Sequence, residues 1–251
     1  MSTPHLQIRD LSVWYGSKKA LDEITMSVPR NTVLGIVGPS NSGKTTLLKT
    51  INRTIDFISS ARLDGDVLID GESVRQIRNV YALRRRIGMV FPLPVGLPMS
   101  VYENVAFAPR RMGIHDKKQL DEIVERCLRQ SVLWDEVKDR LDLLGTRLSG
   151  GQQQRLTLAR ALSLDPEILC LDEFSIAIDP VTTMKIEEVL TGLKKQMTIV
   201  LVTNLTQQAR RMADDVAFIN DSQLVEWGTN DQMFSRPAKE ITGRYLNGEF
   251  G

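Results

Sequence analysis

The sequence predicts an α/β fold with an antiparallel β start, a strand-and-helix core and an inserted, all-helical segment. Three observations predict it. Short apolar runs at residues 32–37, 168–171, 198–202 and 216–219 read as buried strands, parallel with helical crossovers from 168 onward. The first ends at a glycine and is followed by a helical pattern from residue 44. From about 110 to 147 the chain turns charged, with Leu120, Ile123, Val124, Cys127 and Leu128 forming one apolar stripe.

Taken in order, residues 6–15 and 24–28 alternate loosely around the turn-prone Gly16-Ser17-Lys18, which suggests an antiparallel pair. Residues 32–37 then lead through a loop into 44–53, where Leu47, Leu48 and Ile51 fall on one helical face. Ser149 and Gln152 make a capping box before the helical run 153–164. A further helical segment covers 182–195, and Asn220-Asp221 joins 216–219 to 223–227 as a closing hairpin. The expected organisation is a single domain over 1–251: 1–91 and 148–251 form the α/β core with its β subdomain, and about 92–147 form the helical insert.

Composition narrows the class of function. Hydrophobic residues make up 42% and charged residues 25% of the 251, the balance of a folded globular protein. With 32 basic and 31 acidic side chains the net charge is +1, so no global field draws the chain to nucleic acid or acidic lipid, and any polyanion is bound locally. Cys127 and Cys170 lie far apart without metal-ligand spacing, which points to a reducing compartment, and His5 and His115 stand alone as ligands. The N-terminal residues show no basic-then-apolar pattern and no eighteen apolar residues run together, so neither export nor a membrane span is expected.

Gly38-Pro39-Ser40-Asn41-Ser42-Gly43-Lys44-Thr45 fits the strand-loop-helix phosphate motif in both sequence and context, and Thr46 continues its helix. The glycines let backbone amides curl around phosphate oxygens, Lys44 brings a point charge to the outer phosphates, and the Thr45 hydroxyl suits a magnesium ion. The buried strand 168–171 delivers Asp172 and Glu173 at its carboxyl end, the edge where open α/β sheets bind ligands. Asp172 is the expected magnesium partner, and Glu173 is placed to polarise a water for attack on a γ-phosphate. Ser149-Gly150-Gly151-Gln152 strips side chains from a second helix start, which reads as a second anion site or as a helix cap alone.

In this order, the phosphate loop, helical insert, Leu148-Ser149-Gly150-Gly151-Gln152, Leu171-Asp172-Glu173 and Asp179 resemble the ATP-binding subunits of ABC transporters across nearly the whole chain. The resemblance implies the phosphate-loop ATPase core of that family, with ATP and Mg2+ as cofactors and two copies, expected to be identical, sandwiching two ATP molecules head to tail. It implies that Ser149, Gly151 and Gln152 of one copy cap the γ-phosphate held by Lys44 of the other, that Tyr15 stacks on adenine, and that Asp179 makes a dimer contact. As bare residues, Tyr15 serves core packing as well and Asp179 serves as a helix cap as well. Residues 61–71, 98–106, 149–156 and above all the closing segment 245–251 look like the phosphate-importing branch. That likeness implies membrane-spanning permease partners, an extracytoplasmic phosphate-binding protein acting indirectly, no nucleic acid, and a peripheral position on the cytoplasmic face of the inner membrane. Docking is expected through the helical insert and residues 92–105.

Three positions depart from the family pattern. Pro92 stands where the family has a glutamine, and proline offers neither a side-chain acceptor nor a donor. Asn204 stands where the family has a catalytic histidine; it donates a hydrogen bond but carries no proton charge. Phe174 replaces the usual proline after Glu173, which relaxes a turn. Two readings follow: a working transport ATPase, or an ATP-binding regulatory or degenerate cassette with slow hydrolysis. Arg84-Arg85-Arg86 reads as a solvated face.

Overall fold

The computed structural model describes residues 4–250; residues 1–3 and Gly251, the last of the closing segment, lie outside the described residues. One ten-stranded sheet runs through the molecule, built from β1 (Leu6–Tyr15), β2 (Lys18–Val28), β3 (Val33–Val37), β4 (Ala61–Ile69), β5 (Glu72–Ser73), β6 (Ile87–Val90), β7 (Ile168–Asp172), β8 (Thr198–Val202), β9 (Asp215–Asn220) and β10 (Gln223–Thr229). Their spatial order is β5-β4-β1-β2-β10-β9-β3-β8-β7-β6. The half from β9 to β6 is parallel, whereas β1, β2, β4 and β5 pair antiparallel. The halves meet at a parallel contact between Gln223 and Asp22. The expected antiparallel pair around Gly16 and the hairpin of β9 and β10 are both present.

The parallel strands are apolar in their interiors because both faces are covered. Within β8, Ile199 and Leu201 join a core on one side of the sheet, while Val200 and Val202 join a second core on the other. Strand side chains alternate between faces, so a run that looks uniformly apolar in sequence feeds two separate interiors. One face packs against α1 (Lys44–Ile51) and the antiparallel strands. The other packs against α3 (Val101–Arg111), α4 (Lys117–Gln130), α5 (Trp134–Val137), α6 (Gly150–Leu162), α7 (Pro180–Leu193), α8 (Thr206–Met212), α9 (Asn230–Ser235) and α10 (Glu240–Leu246). The remaining helix, α2 (Val80–Arg86), leads into β6.

Helix starts follow side-chain capping: Ser100, Asp116, Ser149 and Asp179 each accept the amide of the residue three positions on. Helix α3 begins earlier than the charged stretch near residue 110 suggests, and it tolerates Pro109 near its end. Cys127 and Cys170 are both buried and free, and burial pushes their thiols up to about 11 and about 12. Both thiols are therefore protonated packing groups.

Candidate functional site

The loop between β3 and α1 is shaped by close backbone approach. A Cβ on Gly38 would stand 1.9 Å from the Ile219 carbonyl oxygen, and one on Gly43, at φ +109°, would stand 2.3 Å from that of Ala20. Only glycine fits at either position, and that lets the chain turn tightly into the helix. No side chain caps α1, whose first amides stay available to an anion. Lys44 is buried, and its ammonium donates to the carbonyls of Gly38 (2.7 Å) and Pro39 (2.8 Å). Burial lowers its pKa, with Glu173 and Asp172 opposing.

A cavity of about 390 Å³ opens over this loop, lined among others by Tyr15, Ser40, Asn41, Gly43, Lys44, Thr45, Thr46, Pro92 and Glu173. Lys18 and Ala20, neither of them expected as a site residue, complete the wall where β2 begins. The Tyr15 hydroxyl donates to Thr46 Oγ1 at 3.2 Å, so its half-buried ring is tethered at the cavity mouth. Ser42 is buried within the loop with its hydroxyl unpartnered. Beneath the loop the closing segment is drawn in: Tyr245 of α10 is buried, stacked on Phe218 at 4.7 Å and edge-on to Phe250 at 5.5 Å. Phe218 pairs in register with Val37, the residue preceding Gly38.

Asp172 is buried at the end of β7, and neither carboxylate oxygen has a hydrogen-bond partner. Burial raises its pKa; the Thr45 hydroxyl, close by but outside hydrogen-bond geometry, lowers it, and the Glu173 charge adds to the rise. A buried carboxylate with both oxygens free, beside a hydroxyl, offers oxygen ligands of the type a hard divalent cation takes. Glu173 faces the cavity with φ at +44°, an uncommon backbone conformation for a residue with a side chain, held by its amide donating to the Val202 carbonyl at 2.9 Å. Phe174 does more than relax a turn. It is one of the largest fully buried side chains and anchors the Glu173 turn in the core.

Pro92 lines the cavity, whereas Asn204, at the carboxyl end of β8, is exposed and is not part of its lining. The segment around Pro92 is strapped to α6. Gln154 donates to the Phe91 carbonyl at 2.9 Å, Gln153 accepts the Gly96 amide at 3.0 Å, and Arg160 donates to the Val95 carbonyl at 3.2 Å. None of the three was an expected site residue; Gln153 and Gln154 had as a signal the run of three glutamines at a helix start, and Arg160 had none. The capping box of Ser149 and Gln152 is formed, yet Ser149, Gly150, Gly151 and Gln152 lie outside the cavity wall, with Ser149 and Gly150 exposed. Asp179 caps α7, accepting the Thr182 amide at 2.9 Å, which accounts for its lowered pKa.

Two sequence expectations are corrected. The arginine run is no solvated face. Arg84 donates to the carbonyls of Asn52 and Arg53, Arg85 approaches the Met112 sulfur, and Arg86 forms a two-pronged pair with Glu167 and reaches Asp70. Consecutive residues on a short helix point in different directions, so one charge run meets three neighbours. Nor does His5 stand alone: it is buried, bonded through Nδ1 to Thr198 Oγ1 at 2.6 Å, with Nε2 at 3.7 Å from Glu167. Asp70 and Glu167 complete a compact group with it, but Arg86 and Arg30 already occupy those carboxylates.

A glycine-bounded cradle at the carboxyl edge of a parallel sheet, with a buried lysine and two acidic neighbours, defines a nucleotide-binding protein of the phosphate-loop class. Comparison with known proteins narrows this. Residues 21–175 match the ABC transporter family. The phosphate import ATP-binding protein PstB 2 of Bacillus subtilis (strain 168) is 47% identical over 247 residues, covering 98% of this chain and 92% of its own. The phosphate import ATP-binding protein PstB of Pseudoalteromonas translucida (strain TAC 125) is 45% identical over 247 residues, covering 98% and 90%. Among solved structures, cbiO1 from Clostridium perfringens, part of the ABC transporter complex cbiONQ, superposes with a TM-score of 0.80 at 25% identity, covering 94% and 92%. A bacterial Atm1-family ABC exporter with ATP bound shares the fold, with a TM-score of 0.84 at 21% identity, over 99% of this chain and 42% of that one. The chain belongs to the ABC transporter family as one of its ATP-binding ATPase subunits.

Proposed function

We propose that this chain is the ATP-hydrolysing subunit of an importer of inorganic phosphate, coupling nucleotide-driven closure of two cassettes to transport through membrane-spanning permease subunits. One observation carries the reading. Lys44, Thr45 and Glu173 share a cavity, while the capped helix start at Ser149-to-Gln152 is not part of its wall and has Ser149 and Gly150 exposed. A second copy turned head to tail brings that exposed start to the first copy's nucleotide. The near-full-length likeness to two phosphate import ATP-binding proteins supplies the substrate and weighs against the regulatory alternative.

Within the site, the loop amides and Lys44 hold the β- and γ-phosphates, Tyr15 offers its ring to the base, and Glu173 orients and deprotonates the attacking water. Thr45 and Asp172 would hold Mg2+, which neutralises charge on the phosphate oxygens when bound. The free buried oxygens of Asp172 fit that role. Asn204 and Asp179 act at the seam between copies, where Asn204 takes the place of the family histidine.

Among the described residues no helix is long and apolar enough to cross a membrane, which suits a peripheral position on the cytoplasmic face of the inner membrane beside permease subunits. Docking is supported by the exposed apolar side chains Leu93 (77% exposed), Val95 and Phe107, with Phe57 (73%) and Tyr81 (81%) exposed outside the expected segment. Arg84 lies 4.6 Å over the Phe57 ring and Arg85 contacts the sulfur of the exposed Met112, so α2 reaches both of these apolar side chains. The extracytoplasmic phosphate-binding protein acts through the permease, and nucleic acid has no part. The test is steady-state phosphate release with Mg2+ and ATP beside Glu173→Gln. The parent is expected to be at least 100-fold faster, and a parent no faster than the variant refutes the enzyme reading.

A further inference from the structure

Helix α5 carries Glu136, and its carboxylate reaches two groups of the helix start at Ser149. Gln152 Nε2 donates to Glu136 Oε2 at 2.7 Å, and Arg155 donates to Oε1 at 2.6 Å and to Oε2 at 3.2 Å. Arg155 is buried, and the pairing holds the Glu136 carboxyl below the usual range. The polarity is decisive. Gln152 Oε1 accepts the Ser149 amide at 3.0 Å to complete the capping box, so its nitrogen must face an acceptor, and an ionised carboxylate offers nothing else. The same guanidinium donates to the Val132 carbonyl at 2.6 Å, in the turn between α4 and α5. Val132 has φ +55°, a conformation that β-branched residues rarely adopt, so the turn depends on outside support.

We propose that Glu136 is a positioning residue for hydrolysis: it fixes the Gln152 amide and, with Arg155, locks the Ser149 helix start to the α4–α5 turn, so that a shift of this turn changes how α6 meets a nucleotide held by a second copy. The inference rests on the two-copy reading above. It makes the helical segment a direct control on the exposed helix start, separate from the strap between α6 and residues 91–96.

Glu136→Gln is nearly isosteric but removes the charge and leaves one acceptor oxygen where two served Gln152 and Arg155, so an NH2 must face one of these donors and the joint hold on Gln152 and Arg155 is broken. In a Glu173→Gln background, ATP-driven dimer formation read by light scattering is expected to need about tenfold more ATP or higher, the loss of one hydrogen bond to a charged group. ADP affinity of the single chain, set by its own phosphate loop, is expected to stay within twofold, and the melting temperature within a few degrees. Glu136→Asp keeps a charge for Arg155 but shortens the reach to Gln152, and it carries the same expectation should the glutamine variant fold poorly. Unchanged ATP dependence in both variants overturns the proposal. A parallel loss of ADP affinity and melting temperature also overturns it, because Glu136 is then only a structural ion-pair partner. If the background itself stays monomeric at saturating ATP, the two-copy reading fails and takes the proposal with it.

Discussion

Replacing Asp172 with asparagine is expected to move two readouts in opposite directions. Both carboxylate oxygens are buried without partners, and burial dominates the rise in the pKa. An unsatisfied buried polar group costs about 1–3 kcal/mol, and a charged one more, so the asparagine variant recovers an amount of that order. At about 2–4 °C per kcal/mol for a chain of this size, the nucleotide-free variant melts about 2–12 °C above the parent at pH 7. The sign of the pH dependence follows from the raised acid pKa. The penalty is complete above the folded value, lessens as pH falls through it, and is gone below the unfolded value near ~3.9. The gap between variant and parent therefore narrows on acidification. With nucleotide and Mg2+ the gap narrows: a ligand at about 100 times its Kd stabilises by about 2.7 kcal/mol, and in the variant Mg2+ is expected to add nothing to the shift produced by ATP alone. Scanning calorimetry with ATP, with and without Mg2+, checks both. A variant that melts at or below the parent without nucleotide, or one still stabilised by Mg2+ beyond ATP alone, refutes the assignment of Asp172 as an uncompensated cation ligand.

Phe174→Ala removes a wholly buried ring and is expected to cost about 3–5 kcal/mol, visible as a lower urea midpoint, with hydrolysis falling as the Glu173 turn loosens. Asn204→His is expected to raise the steady-state ATPase rate by about 10-fold or more, because an imidazole restores a charge-capable donor at the seam. Pro92→Gln, on the cavity wall, is expected to improve phosphate transported per ATP in reconstituted vesicles more than it changes ATP affinity. Unchanged values in both of these variants would mean that neighbouring groups, Gln154 among them, already compensate.

Much of the site was legible because phosphate binding depends on local backbone geometry. A glycine-bounded loop between a strand and a helix forms its cradle from consecutive residues, so Gly38 to Thr46 carry the signal within one stretch. The acidic pair at 172 and 173 was legible for the same reason, following directly from an apolar strand. Residues that act across the chain were not. Lys18 and Ala20 reach the cavity because β2 passes beneath the loop, and Gln153 and Gln154 secure the Pro92 segment from sixty or so positions away. Their side chains are of a common type on an ordinary helix, and only the packing of α6 against that segment gives them work.

Local chemistry in the chain was enough to settle the class of fold, the phosphate cradle and the family, because apolar runs, glycines and caps act between near neighbours. The three-dimensional arrangement decided the rest: which strand residue feeds which interior, that three adjacent arginines meet three different partners, and that His5 lies among carboxylates. It also decided that the helix start at Ser149 is not part of the wall of the cavity holding Lys44. The physical reason is that direction and long-range proximity are set by how the sheet and helices pack, and those contacts join residues between which the sequence carries no periodicity.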